Sequence, residues 1–363
     1  GDVYKRQSYI DALFETISGF TTTGSSILSD VETLSRGTAF WRCFTHWIGG
    51  MGVLVFIMAV MPLSDSSSMH LMRAESPGPS VGKLVPKVKT TAMILYGIYV
   101  VFTVIEIIAL LIAGMPLFDS MTLTFGTVGT GGFGLLNSSI ASYSTAVQII
   151  ITVFMIICSI NFTVYYMFLI KRPKEALMCE EMRYYLLIVF GSALLIAFNI
   201  RASFASFGKA FQQAIFQVAS VISTTGFATA DFNLWPEFSR MILVLLMFVG
   251  ACAGSTGGGF KVSRLIIMVK SVRNEIMSVT HPRSVQKVHM DGRRIPDNVV
   301  KTVLCYLAGY VVILIVSVLL ISLDNFDMTT NFTAVMATFN NVGPGLNRVG
   351  PVSYTHLTLP NDR

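Results

Sequence analysis

Charged side chains are scarce in this chain. They make up 13% of 363 residues, against about 25% in soluble domains. Hydrophobic residues reach 53% and mean hydropathy is +0.66, which excludes an ordinary soluble domain and identifies an integral membrane protein. Cysteine is sparse as well. Cys43, Cys158, Cys179, Cys252 and Cys305 include no CxxC pair and mostly lie in apolar runs, so they read as small buried hydrophobes rather than a disulfide or zinc framework. The five histidines are scattered, and nothing points to a metalloenzyme. The net charge of +6 does not imply nucleic acid, because the basic residues occupy short loops between apolar spans.

Against this background one polar phrase recurs four times. It reads Phe20-Thr21-Thr22-Thr23-Gly24-Ser25, Gly129-Thr130-Gly131-Gly132-Phe133-Gly134, Ser223-Thr224-Thr225-Gly226-Phe227 and Asn340-Asn341-Val342-Gly343-Pro344. Irregular polar backbone at membrane depth is tolerated only where protein buries it or where it lines a water-filled cavity. Spans of about 20 apolar residues are needed to cross a bilayer. Candidates are 39–61, 92–113, 145–170, 184–200, 239–272 and 299–322. Shorter segments, 9–19, 118–128, 208–222 and 327–339, each run into one phrase and are long enough for roughly half the hydrocarbon depth. The predicted unit is span, half-helix, phrase, span.

Four copies of that unit predict an all-α integral membrane fold, with pseudo-repeats around one central pore as in K+ channels. The predicted boundaries are 9–62, 92–172, 184–272 and 299–351, the first and last units being incomplete. Both ends read as truncations. Residues 1–7 and 352–363 are expected to be non-native and resemble translated adapter sequence. Loop charge supports a single direction of re-entry. The loops 62–91, 171–183 and 273–298 are rich in Lys and Arg, whereas Arg36, Arg201 and Lys209 are the sparse cations of the opposite loops. The phrases are therefore expected to face outside.

Chemically, a ring of inward carbonyls can replace the water around a monovalent cation. Glycine admits the unusual dihedrals, and Thr or Ser hydroxyls add oxygen ligands or bond the backbone behind the phrase. None of the four phrases contains Asp or Glu, which argues against a divalent site. Each half-helix also turns its C-terminus, the negative end of its dipole, toward the phrase. By composition the fourth phrase is the weakest copy, since it lacks threonine. The fifth span is interrupted by Gly254-Ser255-Thr256-Gly257-Gly258-Gly259. Its glycines predict an unwound, flexible loop at membrane depth below the phrases. Lys261, just after it, is read either as functional or as snorkelling to the cytoplasmic interface, and Lys270 as snorkelling. Glu106 is expected to be a buried, hydrogen-bonded acid, with proton coupling as the sharper alternative. Arg42 and His46 share a helical face and are expected to anchor the outer end of their span.

Phe40-Trp41-Arg42, His46-Trp47-Ile48-Gly49-Gly50-Met51-Gly52, Thr21–Ser25, Ser223–Phe227, Gly250–Val262 and Asn340–Leu346 together resemble the TrkH/KtrB family of bacterial potassium uptake subunits, over nearly the whole chain between its ends. The resemblance implies K+ as the transported ion and no covalent cofactor. It implies a selectivity filter of Thr22, Thr23, Gly24, Thr130, Gly131, Gly132, Thr224, Thr225, Gly226, Asn341, Val342 and Gly343. It further implies a gating loop of Gly254, Ser255, Thr256, Gly257, Gly258, Gly259 and Lys261. Family members imply a homodimer working with a cytosolic nucleotide-binding subunit of the TrkA or KtrA type, in the bacterial cytoplasmic (inner) membrane. Glycine at position 24 resembles the K+-selective members; some plant relatives that favour Na+ carry serine there. A Na+- or H+-coupled symporter of the same fold is the alternative. A membrane-embedded enzyme is the third reading, and the sequence contains no catalytic constellation for it.

Overall fold

Four short helices aim their C-termini at one another, and longer apolar helices surround them. The computed structural model describes residues 9–28, 30–52, 88–281 and 287–351. The two termini expected to be non-native, the far part of span 39–61 and most of the loop 62–91 lie outside those residues.

The half-helices are α1 (Tyr9–Phe20), α4 (Leu117–Val128), α9 (Phe207–Ile222) and α13 (Met328–Phe339). Between them run α2 (Arg36–Gly50), α3 (Val88–Ile112), α5 (Thr145–Cys158), α6 (Phe162–Leu169), α7 (Pro173–Met178), α8 (Glu180–Ile200), α10 (Glu237–Val249), α11 (Val262–Thr280) and α12 (Asp297–Ile321). Among the described residues, three helices are long and apolar enough to cross a membrane: Thr91–Ile112, Glu180–Ser203 and Asp297–Asp324. These head the second, third and fourth units of the repeat. Local sequence places the boundaries. Ser35, Ser144, Ser206 and Asp327 each cap a helix by accepting a first-turn N–H. Pro116, Pro236 and Pro296 stand immediately before α4, α10 and α12, where a missing N–H costs nothing.

Two predicted spans are broken rather than straight. The span 239–272 divides into α10 and α11 around residues 250–261, where glycine had marked the break. The span 145–170 was expected to be continuous, but it bends by 88° between α5 and α6. At the bend Asn161 accepts a hydrogen bond from Thr163 N at 2.9 Å and so starts a new helix. The largest apolar cluster lies among α8, α9 and α10, with Tyr185, Val189, Ala214, Val218, Leu243 and Met247 at its centre. On the side away from the phrases, a two-stranded hairpin, β1 (His289–Met290) and β2 (Arg293–Arg294), joins α11 to α12.

Candidate functional site

Each half-helix ends in the same backbone device. The amides of Thr22, Thr130, Thr224 and Asn341 bond back three residues, and those of Thr23, Gly131, Thr225 and Val342 bond back five, at 2.8–3.2 Å. This is the Schellman termination. Thr22, Thr130, Thr224 and Asn341 occupy the left-handed position at φ +57°, +52°, +60° and +62°; two residues later Gly24, Gly132, Gly226 and Gly343 stand at +74°, +81°, +83° and +98°. The backbone thus aligns all four phrases and pairs Gly132, rather than Gly131, with the other three glycines. The threonines are β-branched residues held where such residues rarely go. The fourth copy, lacking threonine, fills that place with asparagine, which tolerates it.

The four tips form a closed ring. A methyl group on Gly24 would overlap the carbonyl oxygen of Gly131, one on Gly132 that of Thr225, and one on Gly226 that of Val342. The ring closes from the fourth copy to the first. Thr23 Oγ1 donates to Asn341 Oδ1 at 2.6 Å, and Asn341 Nδ2 donates to the Thr21 carbonyl. Thr23, Gly24, Gly131, Gly132, Thr225, Gly226, Val342 and Gly343 all line one cavity of about 540 Å³, counted with its open mouth. At Gly24, Gly132 and Gly226 glycine is required on two counts, positive φ and the approach of a neighbouring carbonyl.

Hydroxyls do bond the backbone behind the ring, but from serines outside the four phrases that the sequence did not single out. Ser18 Oγ donates to Ser25 O, and Ser220 Oγ to Phe227 O, both at 2.6 Å and both seven residues on. In the second copy Gly126 holds the equivalent place, where an added Cβ would stand 2.9 Å from Phe133 O. Arg42 and His46 reach inward instead of anchoring the outer end of their span. The Arg42 guanidinium lies 3.4 Å from the centre of the Phe133 ring and its Nε is 3.1 Å from Glu15 Oε2. Glu15 Oε1 in turn accepts from Ser26 Oγ and Ile27 N at 2.8 and 2.6 Å. His46 Nδ1 lies 2.8 Å from Gly19 O, and its ring packs on Phe133 at 4.1 Å. The i, i+4 spacing was visible; the direction of that face depended on packing. On the outer side, hydrogen bonds from the Thr330 hydroxyl, the Asn347 amide and the Thr330 N–H hold the Asp327 carboxyl below its usual range.

Beneath the ring sits the interrupted span. Its loop is an ordered hairpin rather than a free glycine string. Phe260 N and Lys261 N bond Phe248 O and Val249 O at 3.1 and 3.0 Å, while Ala251 N bonds Gly258 O and Val262 N bonds Ala251 O at 3.2 and 3.1 Å. The loop docks on the α5–α6 bend through Cys252 N to Ser159 O and Phe162 N to Gly254 O, both 3.0 Å, and through Thr256 Oγ1 to Cys158 O at 3.2 Å. Its crown meets the ring directly. Gly258 N donates to Thr224 Oγ1 at 2.6 Å, and Cβ atoms added at Gly257 and Gly258 would stand 2.7 and 2.8 Å from Ser223 O and Asn340 O. Lys261 does not snorkel. It is buried, and its ammonium donates to Gly257 O. Lys270 is half-buried on the side away from the ring, bonding Glu180 Oε2 and, at 2.7 Å, His289 O. Glu106 is fully buried, with the Thr127 side chain beside its carboxyl group.

The model of the family described as TrkH, cation transport protein, matches residues 4–355. The Trk system potassium uptake protein TrkH of Vibrio parahaemolyticus is 35% identical over 350 residues, covering 94% of this chain and 72% of that protein. The Escherichia coli K12 protein TrkG of the same system is 32% identical over 342 residues, covering 93% and 70%. The crystal structure of the potassium transporter TrkH from Vibrio parahaemolyticus superposes with a TM-score of 0.83 at 33% identity, covering 94% of this chain and 71% of that one.

Proposed function

The chain belongs to the TrkH family of cation transport proteins, and from that premise we propose that it takes up K+ across the bacterial cytoplasmic (inner) membrane. The single observation that carries this reading is the closed ring of four glycine-bearing tips around one cavity. In it the selectivity filter consists of Thr22–Gly24, Thr130–Gly132, Thr224–Gly226 and Asn341–Gly343. Carbonyls of Thr23, Gly131, Thr225 and Val342 exchange for the hydration shell of the ion. The absence of Asp and Glu from these phrases keeps binding weak enough for release, and four half-helix C-termini add partial negative charge. The membrane potential supplies the drive, about 2.3 kcal/mol per charge per 100 mV.

The loop of Gly254–Gly259 and Lys261 is the gate. It lies directly under the ring and bonds to Thr224, so ions leaving the filter meet it. The names of the relatives support K+ as the ion. The repeat boundaries 9–62, 92–172, 184–272 and 299–351 fit this reading, as do a homodimer and a cytosolic nucleotide-binding partner of the TrkA or KtrA type.

Uptake of radioactive Rb+ and Na+ into a transport-deficient bacterium tests the proposal. Gly226→Ser places a side chain at φ +83° against Val342 O. Strain of about 1–3 kcal/mol should lower Rb+ uptake by about five- to a hundredfold. Gly24→Ser should shift the preference from Rb+ toward Na+. Unchanged uptake and selectivity in both variants would remove the filter assignment.

A further inference from the structure

The loop's two legs hang from one carboxylate that the transport reading leaves unused. Glu181 is the second residue of α8 and is 3% exposed. Its Oε1 accepts from Ala253 N at 2.7 Å, on the entering leg, and from Ser263 N at 3.0 Å, in the first turn of α11 beyond the exit. A first-turn amide has no acceptor within its own helix, and the helix N-terminus is positive. Glu181 therefore caps α11 from a different helix while gripping the start of the loop. At the far end the crown is held by a neutral bond, Gly258 N to Thr224 Oγ1. Two backbone amides thus share one acceptor at the feet, against one bond from the crown to the ring, so the crown releases before the feet.

The grip is itself fixed to the inner surface. Glu180 N donates to Asp291 Oδ1 at 2.7 Å, in the turn of the β1–β2 hairpin. Glu180 Oε2 pairs with Lys270 of α11. Ala253 and Ser263 are thus tied to a point that cannot drift with the loop.

We propose that Glu181 is the pivot of the intramembrane loop, a positioning residue that keeps the legs together so that the crown swings as a lever instead of melting. This rests on the reading of the loop as a gate. It predicts that removing the acceptor disorders the loop and admits ions, whereas removing only the charge does not.

The test uses the full protein in liposomes, with native cysteines replaced and nitroxide labels at positions 255 and 184. Glu181→Ala should broaden the label distance distribution and raise maximal Rb+ flux about tenfold, the order expected for losing its two hydrogen bonds, with KM for Rb+ unchanged. Glu181→Gln retains an acceptor and should restore a narrow distribution and near wild-type flux. A Glu181→Ala protein with an unaltered distribution and flux would overturn the proposal, as would a change in KM instead of maximal flux. If that variant does not fold, Glu181→Asp, which withdraws the oxygen by one methylene, must broaden the distribution or the pivot is refuted. Distances are read without ion flow, so a wild type that carries no Rb+ would refute transport and leave the pivot still decided.

Discussion

At the scale of single residues, the ring depends on backbone conformations that most side chains resist. Three threonines sit in the left-handed region at the half-helix ends, each at a cost of order 1–3 kcal/mol that the surrounding structure must absorb. Asn341 occupies the fourth such place without that strain and uses its amide to close the ring onto Thr21 and Thr23. Asn341→Ala removes both bonds and puts an ordinary residue at φ +62°. We expect a loss of roughly 2–4 kcal/mol in detergent unfolding, with Asn341→Gly intermediate because it keeps the conformation and loses only the bonds. Equal stability of all three proteins would show that the closure carries no energy. The glycines of this ring were legible in the sequence because nothing else suits positive φ against a neighbouring carbonyl. Asn341 looked like the weak copy because composition was compared, whereas the physical requirement was a backbone conformation that asparagine meets unaided.

At the scale of elements, half-length and the polar phrase ending each segment were enough to find α1, α4, α9 and α13, and five glycines were enough to break 239–272. The bend at 159–161 was hidden because Ser159, Ile160 and Asn161 include neither glycine nor proline; the cap on Thr163 and the docked loop make the corner. The orientation of α2 was hidden for a related reason. Arg42 and His46 define a face, but only packing against α1 and α4 decides that it turns inward. That inward turn joins α1 to α2 through the buried pair Glu15–Arg42, whose side chains are 4% and 8% exposed. Deleting one member of a buried pair strands the other charge, at about 3–5 kcal/mol. Arg42→Ala should therefore lose about that much in thermal unfolding, while Glu15→Gln with Arg42→Met should recover much of it. If the single and double variants unfold alike, the pair is not what joins the two helices.

At the scale of the whole molecule, the fold is a statement about sidedness. Four half-helix tips meet in one ring, and the single direction of re-entry that the loop charge supports would put the loops between units on the opposite face. The basic residues Lys171, Arg172 and Lys174 before α8, and Arg293 and Arg294 in the hairpin, then lie together on the face opposite the ring. By the positive-inside rule that face is the one expected in the cytoplasm. Both expectations came from the sequence, because apolar length and loop charge are set locally, and the fourfold repeat itself pointed to one central pore; the bonds that close the ring were not legible, because they need four distant tips in one place. The arrangement is tested by single cysteines in a cysteine-free protein. Cysteine at position 174 or 293 should react with a membrane-impermeant maleimide only in inverted vesicles, and cysteine at exposed Leu234 or Leu323 only in intact cells. Reaction of all four from one side would break the four-tip ring itself, since no set of half-helices entering from a common face could produce it. A clean reversal of the two sides would leave the ring standing but would put its cavity toward the cytoplasm, and a K+ uptake path running from ring to loop would then point out of the cell.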